Sequence, residues 1–526
     1  MIFRSPYPDI TIPDVPLATH VLRHAERLSD KPALIDASTG QQVTYGALAE
    51  ATRAVAAGLA ARGFAKGDVF GINAPSSSEF AVALLAAASL GGIVTTINPL
   101  ATSDELARQL ADAGATFLLT TPEILDRSRA SIARTAVREV FALGAADGAP
   151  PCADLFCGDG AVPDVTIDPT TDVVLMPYSS GTTGLPKGVM LTHRNFVGNL
   201  LQTDVPQCRN EQDIVFAVAP FFHIYGILMI GWTLATGATL VVSPRFELAT
   251  FLRAIQERRV TRLSLVPPIM LALANEPSVD AYDLSSLRVI NSGGAPIGAD
   301  LLRRCATRFG CAVVQSYGLT EASPVTHSPF VAGPWAKLGS IGACVPNTEC
   351  KVVDVATGAE LDANEQGELW IRGPQVMKGY LNRPEETAST ITPDGWLRTG
   401  DVGYADEDGD FYIVDRLKEL IKYKAYQVAP AELEAVLLSH PAVADVAVIP
   451  APDDAAGEVP KTFVVLRGDA TADDLMAFVA ERVAPYKKVR LLEFVDEIPK
   501  SPSGKILRRV LVERERAAAA PPVLVA

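Results

Sequence analysis

Long apolar runs are missing from this sequence of 526 residues. A membrane-spanning helix needs roughly 18 consecutive apolar residues, and Gly, Pro or a charged residue interrupts each candidate stretch sooner. The N-terminal segment MIFRSPYPDITIPDVP also lacks the apolar stretch of a signal peptide. We therefore predict a cytoplasmic protein with no transmembrane segment.

An excess of positive charge is missing too. The formal net charge is −15, which argues against nucleic acid or an anionic membrane as the main partner. Anionic small molecules are still compatible with this charge, because a few basic residues can dominate one cleft. We predict small-molecule partners and no nucleic acid, and the sequence leaves the choice between monomer and homodimer open.

Paired cysteine spacings are also absent. The sequence has seven cysteines, an odd number, and no CxxC spacing. Disulfide frameworks and zinc sites use even sets or paired spacings. Scattered reduced thiols are therefore the better interpretation.

The composition is that of a globular protein, with 48% hydrophobic and 20% charged residues. Short apolar strands alternate with Ala-rich helical patterns, and this order indicates mainly parallel sheets with helices on both faces. We predict an α/β fold with a large N-terminal domain (1–416) and a small mobile C-terminal α/β domain (417–526). The N-terminal domain would contain αβ subdomains at about 17–165 and 166–336 and a small β subdomain at about 337–416, and the tail would fray from about residue 516.

One loop has a composition unsuited to a core. The segment PYSSGTTGLPKGVM follows the apolar strand DVVLMP, and it lacks the GxxxxGK[ST] pattern of a Walker loop. Its glycines let backbone N–H groups converge on an anion. Hydroxyl groups and one lysine add further donors, so we predict a polyphosphate-binding loop that includes Ser179, Ser180, Gly181, Thr182, Thr183 and Lys187.

This loop and four other segments resemble one family. SSGTTGLPKGVMLTH is similar to the signature of the adenylate-forming superfamily of acyl-CoA synthetases, luciferases and adenylation domains. QSYGLTEASPV, RGPQVMKGYLNRPEET, GWLRTGDVGYADEDGDFYIVDRLKELIKY and SPSGKILRR resemble further family segments in the expected order. PFFHIYG and YQVAPAELEA are most similar to the branch of 4-coumarate–CoA ligases and luciferases.

The resemblance implies a two-step reaction. A carboxylate attacks the α-phosphate of ATP to give acyl-AMP and pyrophosphate, and the thiol of CoA then displaces AMP. ATP, Mg²⁺ and CoA are thus expected as cofactor or co-substrates, and the small domain is expected to close in two orientations. We predict an acid–thiol ligase that acts on a hydrophobic acid of the 4-coumarate or cinnamate type.

The nucleotide residues follow from the same segments. Asp401 is expected to accept both ribose hydroxyls, because an ionised carboxylate is a pure acceptor. Tyr317 resembles the tyrosine that stacks on adenine, and Glu321 is the candidate Mg²⁺ ligand, since that cation prefers oxygen. The remaining residues assigned to ATP or AMP by resemblance are Gln315, Gly318, Thr320 (near the α-phosphate), Arg416, Lys418 (near the expected hinge) and Lys505.

Two catalytic groups are expected in the first step. Lys505 would stabilise charge that develops on the phosphate oxygens. His223 resembles a substrate-facing histidine that orients the carboxylate, and we place it at the end of an apolar strand with Tyr225 pointing the same way. By resemblance, Lys422 and Gln427 contact the adenylate, and Lys424 and Ala425 lie near CoA.

The acyl pocket is predicted to be mainly apolar. Ser316 replaces a family glycine there and would either shorten the pocket or hydrogen-bond a substituted ring, and Ala425 replaces a glycine on the CoA path. Cinnamic acids and medium-chain fatty acids both fit such a pocket. The predicted lining comprises His223, Tyr225, Met229, Gly294, Gln315, Ser316, Pro324 and Val325.

Other interpretations stay open. The chain could stop at acyl-AMP and pass it to a carrier protein or another acceptor, or it could be an inactive nucleotide-binding protein. The segment DEDGD at 406–410 resembles a calcium loop but lacks the rest of an EF-hand. We predict a tight hairpin turn there.

Overall fold

The computed structural model describes residues 1–147, 149–155, 161–179, 186–332, 337–424, 426–453, 456–501 and 504–519. Within these ranges, no helix is long and apolar enough to cross a membrane. The predicted cytoplasmic location and the oligomeric state stay predictions.

The first part of the chain alternates strands and helices. In order they are β1 (Ile2–Arg4), α1 (Leu17–Val21), β2 (Pro32–Asp36), β3 (Gln42–Thr44), α2 (Tyr45–Ala61), β4 (Val69–Asn73), α3 (Ser78–Ser89), β5 (Ile93–Thr96), α4 (Ser103–Ala113), β6 (Ala115–Thr120), α5 (Pro122–Ile132) and β7 (Glu139–Ala142).

The same alternation continues through the middle of the chain. The elements are β8 (Val173–Leu175), β9 (Tyr178–Ser179), β10 (Lys187–Thr192), α6 (His193–Gln207), β11 (Ile214–Ala217), α7 (Ile224–Ala235), β12 (Thr239–Val242), α8 (Leu248–Arg258), β13 (Arg262–Leu265), α9 (Pro267–Asn275), β14 (Val289–Ser292), α10 (Ala299–Phe309), β15 (Ala312–Gln315), β16 (Tyr317–Gly318) and β17 (Val325–Ser328).

The last part is richer in strands. Its elements are β18 (Ala343–Cys344), β19 (Glu349–Val353), β20 (Gly367–Arg372), β21 (Gly379–Tyr380), α11 (Pro384–Thr390), β22 (Leu397–Ala405), β23 (Phe411–Arg416), β24 (Ile421–Tyr423), β25 (Tyr426–Val428), α12 (Pro430–Leu438), β26 (Val443–Asp453), β27 (Gly457–Leu466), α13 (Ala472–Ala480), β28 (Leu491–Phe494) and α14 (Arg508–Ala519).

The first large sheet has the order β21-β10-β8-β5-β4-β6-β7, with β9 paired to β10. The pairs among β4, β5, β6, β7 and β8 are parallel. Helix α3 is buried on all sides, and its run of alanine, valine and leucine permits this, since no polar face has to reach solvent. The predicted α/β class with parallel sheets is confirmed here.

The second large sheet has the order β15-β14-β13-β11-β12-β2-β3 and is parallel except at β3. This sheet contains strands from both sides of the predicted subdomain limit at residue 165, because β2 pairs with β12. In the same way, β8 and β10 follow that limit but belong to the first sheet. The alternation of strands and helices predicts parallel pairing, but it does not say which sheet a strand joins.

The β subdomain is an antiparallel sheet of order β1-β19-β20-β22-β23. The predicted hairpin turn at 406–410 joins β22 to β23, and Asp406 donates its backbone N–H to the carbonyl of Asp410 at 2.9 Å. Lys337 Nζ lies 2.7 Å from Asp406 Oδ2 and 2.6 Å from Asp408 Oδ2. The turn prediction is confirmed, and a lysine ammonium neutralises its carboxylates.

The C-terminal sheet has the order β25-β24-β27-β26, with β28 parallel to β27. Helices α12 and α13 cover one face through a cluster that includes Leu433, Leu475 and Val464. Leu511 of α14 packs with Phe463 on a second cluster. Because this part has its own apolar clusters, it can move as one body without losing its core.

Candidate active site

The predicted phosphate loop is anchored at both ends. Ser179 of β9 pairs directly with Lys187 of β10, so the loop leaves and returns at one hairpin. Lys187 Nζ lies 4.9 Å from the ring centroid of Tyr380, within the range of a cation–π contact. The predicted loop residues Ser180, Gly181, Thr182 and Thr183 lie outside the described residues.

Three predicted nucleotide residues form one contact cluster. Asp401 of β22 lies opposite Arg416 of β23, and their Oδ1 and Nε atoms are 3.3 Å apart. Tyr317 donates its hydroxyl to Asp401 Oδ2 at 2.5 Å. Burial raises the pKa of Asp401, whereas Arg416 and Tyr317 favour its ionised form. Each carboxylate oxygen has lone pairs for a further donor, so the cluster can accept ribose hydroxyls as predicted.

Lys505 reaches this cluster from the C-terminal part of the chain. Its loop is a tight turn in which Ser501 accepts the Lys505 N–H at 3.1 Å and donates its own N–H to the Lys505 carbonyl at 2.8 Å. A Cβ on Gly504 would lie 3.1 Å from Pro268, so the loop packs directly on the second large sheet's α9. Burial and the charge of Arg416 lower the pKa of Lys505 to about 8, while Glu419 and Asp401 favour its charged form.

His223 is the N-cap of helix α7. Its Nδ1 accepts the backbone N–H of Tyr225 at 3.3 Å, which leaves Nε2 for another contact. Burial, followed by the charge of Lys505, lowers the pKa of His223 to about 4, so the imidazole is neutral near pH 7. The placement on an extended strand is wrong, because the helix begins at Ile224. Tyr225 therefore does not point the same way, since residues two apart on a helix face differently.

Polar groups lie behind the predicted acyl pocket. The Tyr225 ring would be 3.4 Å from a Cβ on Gly293. Ser316 donates its hydroxyl to Asn291 Oδ1 at 3.0 Å and lies 3.1 Å from Ser328 Oγ. Gln207 donates to the same Ser328 hydroxyl at 2.8 Å. Ser316 is thus engaged within a buried network.

The other predicted pocket residues differ in exposure. Gly294 is exposed, whereas Met229 is fully buried in a core cluster shared by the two large sheets. Gln315 donates its side-chain amide to the carbonyl of Gly339 at 2.8 Å. Val325 is fixed through its backbone by Asn199, whose amide bonds both its N–H and its carbonyl, and Pro324 precedes it.

The predicted metal ligand lies in a short 3₁₀ turn, Thr320–Ala322. Glu321 is 8% exposed, and its Oε1 accepts the Tyr380 hydroxyl at 2.9 Å. Its second oxygen and the Thr320 hydroxyl are the hard donors that Mg²⁺ prefers, so the residues present fit this ion. Gly318 precedes the turn, and a Cβ there would lie 2.2 Å from the Pro324 carbonyl oxygen. Position 318 therefore requires glycine, because any side chain would clash with that oxygen.

The residues predicted for the second step lie elsewhere. Lys422 and Gln427 face each other on the β24–β25 hairpin, and both are exposed. Lys424 is exposed at the hairpin turn with φ +53°, and its N–H donates to Ala456 at 2.8 Å. Lys418 is exposed in the turn between β23 and β24. The predicted CoA residue Ala425 lies outside the described residues.

Three residues that the structure brings to the site had no role in the predictions from sequence. Tyr380 joins Lys187 to Glu321, Asn291 holds Ser316, and Glu419 forms an ion pair of 2.6 Å with Arg508. Tyr380 lies in the segment RGPQVMKGYLNRPEET, which resembled the family without any assigned function. The resemblance of that segment to the family was the available signal.

Comparison with known proteins decides the family. The chain matches the AMP-binding enzyme family at residues 21–381, and the AMP-binding enzyme C-terminal domain matches residues 432–505. The chain belongs to the AMP-binding enzyme family. The predicted membership of the adenylate-forming superfamily and the predicted enzyme class, an AMP-forming acid–thiol ligase, are confirmed.

Relatives of this AMP-binding enzyme cover nearly the whole chain. It is 46% identical to 4-coumarate–CoA ligase 5 of Oryza sativa subsp. japonica, over 97% of this chain and 96% of that protein. It is 43% identical to 4-coumarate–CoA ligase 2 of Petroselinum crispum, with the same coverage of 97% and 96%. The predicted similarity to the 4-coumarate–CoA ligase branch is confirmed.

Solved structures of related enzymes share the fold. The anthranilate CoA ligase AuaEII in complex with anthranoyl-AMP has a TM-score of 0.89 and 26% identity, covering 97% of this chain and 99% of that one. ATP-bound MatB from Rhodopseudomonas palustris has a TM-score of 0.86 and 29% identity, covering 96% and 100%.

Proposed function

We propose that this enzyme joins a 4-coumarate- or cinnamate-type acid to CoA in two steps driven by ATP. In the first, the acid and ATP give acyl-AMP and pyrophosphate; in the second, the CoA thiol takes the acyl group and AMP leaves. The observation that carries the proposal is the contact cluster of Asp401, Arg416 and Tyr317, whose charged members Asp401 and Arg416 act on the buried Lys505. A basic loop of the C-terminal domain thus meets a ribose-accepting carboxylate of the N-terminal domain.

The nucleotide would be held by groups of both signs. Asp401 accepts the ribose hydroxyls, Tyr317 offers its ring to the adenine, and Arg416 supports the ionised carboxylate. Because β9 and β10 anchor both ends of the phosphate loop, Lys187 and the loop's donors can enclose the triphosphate. The full proposed set is Ser179, Ser180, Gly181, Thr182, Thr183, Lys187, Gln315, Tyr317, Gly318, Thr320, Asp401, Arg416, Lys418 and Lys505.

Mg²⁺ would be held at Glu321. When bound, this ion neutralises phosphate charge and orients the leaving pyrophosphate. The buried carboxylate and its neighbour Thr320 supply the oxygen donors on this chain.

Adenylation needs a carboxylate oxygen to attack the α-phosphorus while the bond to pyrophosphate breaks. Lys505 supplies a positive charge near the place where negative charge develops on the phosphate oxygens, and burial strengthens that interaction. His223 is neutral and acts through Nε2 as a hydrogen-bond partner that orients the substrate carboxylate. No proton has to be removed, because the acid reacts as its anion.

The second step needs a different set of groups near acyl-AMP. Lys422 and Gln427 are exposed on their hairpin, and Lys424 is at its turn. A rotation of the C-terminal domain about Lys418 would withdraw Lys505 and bring this hairpin to the adenylate, with Lys424 and Ala425 beside CoA. A few backbone dihedral angles in one turn suffice for such a motion.

Hydrogen bonds at the predicted acyl pocket support an aromatic acid over a long chain. Gln207, Ser328, Ser316 and Asn291 form one hydrogen-bonded network that includes the predicted pocket residue Ser316. A long alkyl chain entering there would have to separate hydrogen-bonded polar groups, which is costly. A medium-chain fatty acid is the alternative substrate, and a carrier protein or another acceptor is the alternative to CoA.

One mass-spectrometric screen tests this function. The enzyme, ATP and Mg²⁺ would be incubated with cinnamic, benzoic and C4–C16 fatty acids, with and without CoA. A cinnamoyl-type thioester with AMP is the expected product. A fatty acyl thioester as the main product would mean that the substrate is a fatty acid and not a cinnamic acid. Acyl-AMP without a thioester would mean that the acceptor is not CoA. Absence of AMP with every acid would reject the ligase activity.

A further inference from the structure

We propose that Tyr380 is a positioning residue that holds the phosphate-loop lysine with its ring and the metal-binding carboxylate with its hydroxyl. This inference rests on the proposed function of Lys187 and Glu321. The two contacts come from one side chain: the ring centroid is 4.9 Å from Lys187 Nζ, and the hydroxyl donates to Glu321 Oε1 at 2.9 Å. Tyr380 therefore sets the position of both charged groups together.

The backbone of Tyr380 is fixed from both sides. It pairs with Val189 across β10, two residues beyond Lys187. Its N–H donates to Thr387 Oγ1 of α11 at 2.9 Å. A Cβ on Gly379 would lie 2.8 Å from Thr387, so the strand and the helix are in close contact at this point. A side chain on such a backbone has little freedom to follow its partners, and it therefore sets their position.

The chemistry of the two contacts is complementary. The face of an aromatic ring attracts an ammonium group, which keeps the long Lys187 side chain near the hairpin. The Tyr380 hydroxyl donates to Glu321 Oε1 at 2.9 Å. One Glu321 oxygen is then engaged and the other is directed elsewhere, which suits a cation that bridges this residue to phosphate.

Two substitutions separate the contacts. Tyr380→Phe keeps the ring and removes the hydroxyl, whereas Tyr380→Leu removes both. We expect Tyr380→Phe to weaken Mn²⁺ binding in the presence of α,β-methylene-ATP about tenfold, since a hydrogen bond to a charged group is lost. Its affinity for α,β-methylene-ATP without a divalent cation should stay at the wild-type value. Tyr380→Leu should weaken both.

Binding is measured without turnover, by electron paramagnetic resonance of free Mn²⁺ and by calorimetry of the nucleotide analogue. Steady-state assays show which kinetic constant changes. Tyr380→Phe should raise the Mg²⁺ concentration required for half-maximal rate and leave kcat at saturating Mg²⁺ nearly unchanged. Circular dichroism establishes that each variant is folded.

Tyr178→Phe is the matched control. Tyr178 is also half-buried, and its hydroxyl donates to Asp112 Oδ2 at 2.7 Å, on the neighbouring strand β9. It loses the same kind of bond, and neither Lys187 nor Glu321 is the partner in that bond. Its Mn²⁺ affinity should equal that of the wild type.

Equal Mn²⁺ affinity in Tyr380→Phe and the wild type would overturn the hydroxyl's role, and unchanged analogue affinity without metal in Tyr380→Leu would overturn the ring's role. An equal loss in Tyr178→Phe would also reject the proposal, because the effect would then belong to the sheet as a whole. Failure of the proposed function is distinguishable, since it would remove analogue binding or product formation from the wild-type enzyme.

Discussion

Two lysine-containing segments of the C-terminal domain differ in burial. The Lys505 loop is packed on the N-terminal part beside Asp401 and Arg416, whereas the β24–β25 hairpin with Lys422 is exposed. Both segments belong to the same domain, so a rotation that exposes one can bury the other. On the proposed function, this arrangement serves adenylation, and the thioester step requires a second arrangement.

The contacts that hold the present arrangement are polar and apolar. Ala431 donates its N–H to Asp415 at 2.9 Å, and Leu420 and Ala429 pack with Val402 and Val414 in one apolar cluster. Within the C-terminal domain, Arg508 pairs with Glu419 at 2.6 Å and with Glu434 at 2.7 Å. A rotation would exchange the hydrogen bond and separate this cluster, while the larger apolar clusters inside the C-terminal domain stay intact.

The largest expected effect is that of Lys505→Ala. Removing the charge at the phosphate should slow acyl-AMP formation about 10²–10³-fold and leave thioester formation from supplied acyl-AMP near the wild-type rate. Release of pyrophosphate measures the first rate, and CoA thioester from synthetic acyl-AMP measures the second. Lys500→Ala is the control, since Lys500 pairs with Asp445 at 2.6 Å within the same domain. Equal loss in both steps would remove the functional difference between the two segments.

Lys422→Ala should give the opposite pattern. We expect about tenfold or greater slowing of thioester formation from supplied acyl-AMP, with pyrophosphate release nearly unchanged in the absence of CoA. Gln427→Ala should act in the same direction, because the two side chains face each other on the hairpin. A loss of adenylation in these variants would mean that the hairpin already works in the first step.

The pH dependence of adenylation tests the role of the Lys505 ammonium. Burial lowers the pKa of Lys505 to about 8, so the ammonium is charged below that pH and neutral above it. The kcat/KM of adenylation for ATP should therefore fall as the pH rises through about 8, approaching tenfold per pH unit. Lys505→Arg should abolish this decline, because the guanidinium stays charged. An unchanged decline in Lys505→Arg would assign it to another group.

The smallest expected effect is that of Lys418→Pro. Proline fixes φ at this position, so we expect a several-fold slower thioester step with adenylation little changed, measured with the same two assays. Lys418→Ala keeps the backbone free and serves as the control. Slower adenylation in the proline variant, or equal effects of proline and alanine, would place the hinge elsewhere.

Short motifs predicted the chemistry of the site better than its packing. The segments around Asp401 and Arg416 indicated a nucleotide site, and the strands that carry them indeed place the two side chains opposite each other. The segment PFFHIYG, by contrast, was misassigned as a strand end. Most of its residues are apolar, and such a run cannot distinguish a buried strand from a buried helix.

The sequence patterns did not predict which strands pair when they are far apart in the chain. Nothing in the residues of Pro32–Asp36 states that their partner is Thr239–Val242. In the same way, the contacts of Tyr380 depend on how β21 pairs with β10, and the partner of Ser316 depends on the neighbouring strand β14. These contacts arise only when distant segments meet, and a single sequence carries no local signal for them.

The interleaved sheets have a consequence for protein engineering. β2 and β3 complete the second large sheet, while β8 and β10 complete the first. A recombination breakpoint at residue 165 would therefore build each of the two sheets from strands of both parents. Such hybrids would need compatible packing along two sheets at once. A breakpoint in the turn at Lys418 would leave the strands of each described sheet from one parent, and we expect the C-terminal domain to be the exchangeable module of this enzyme.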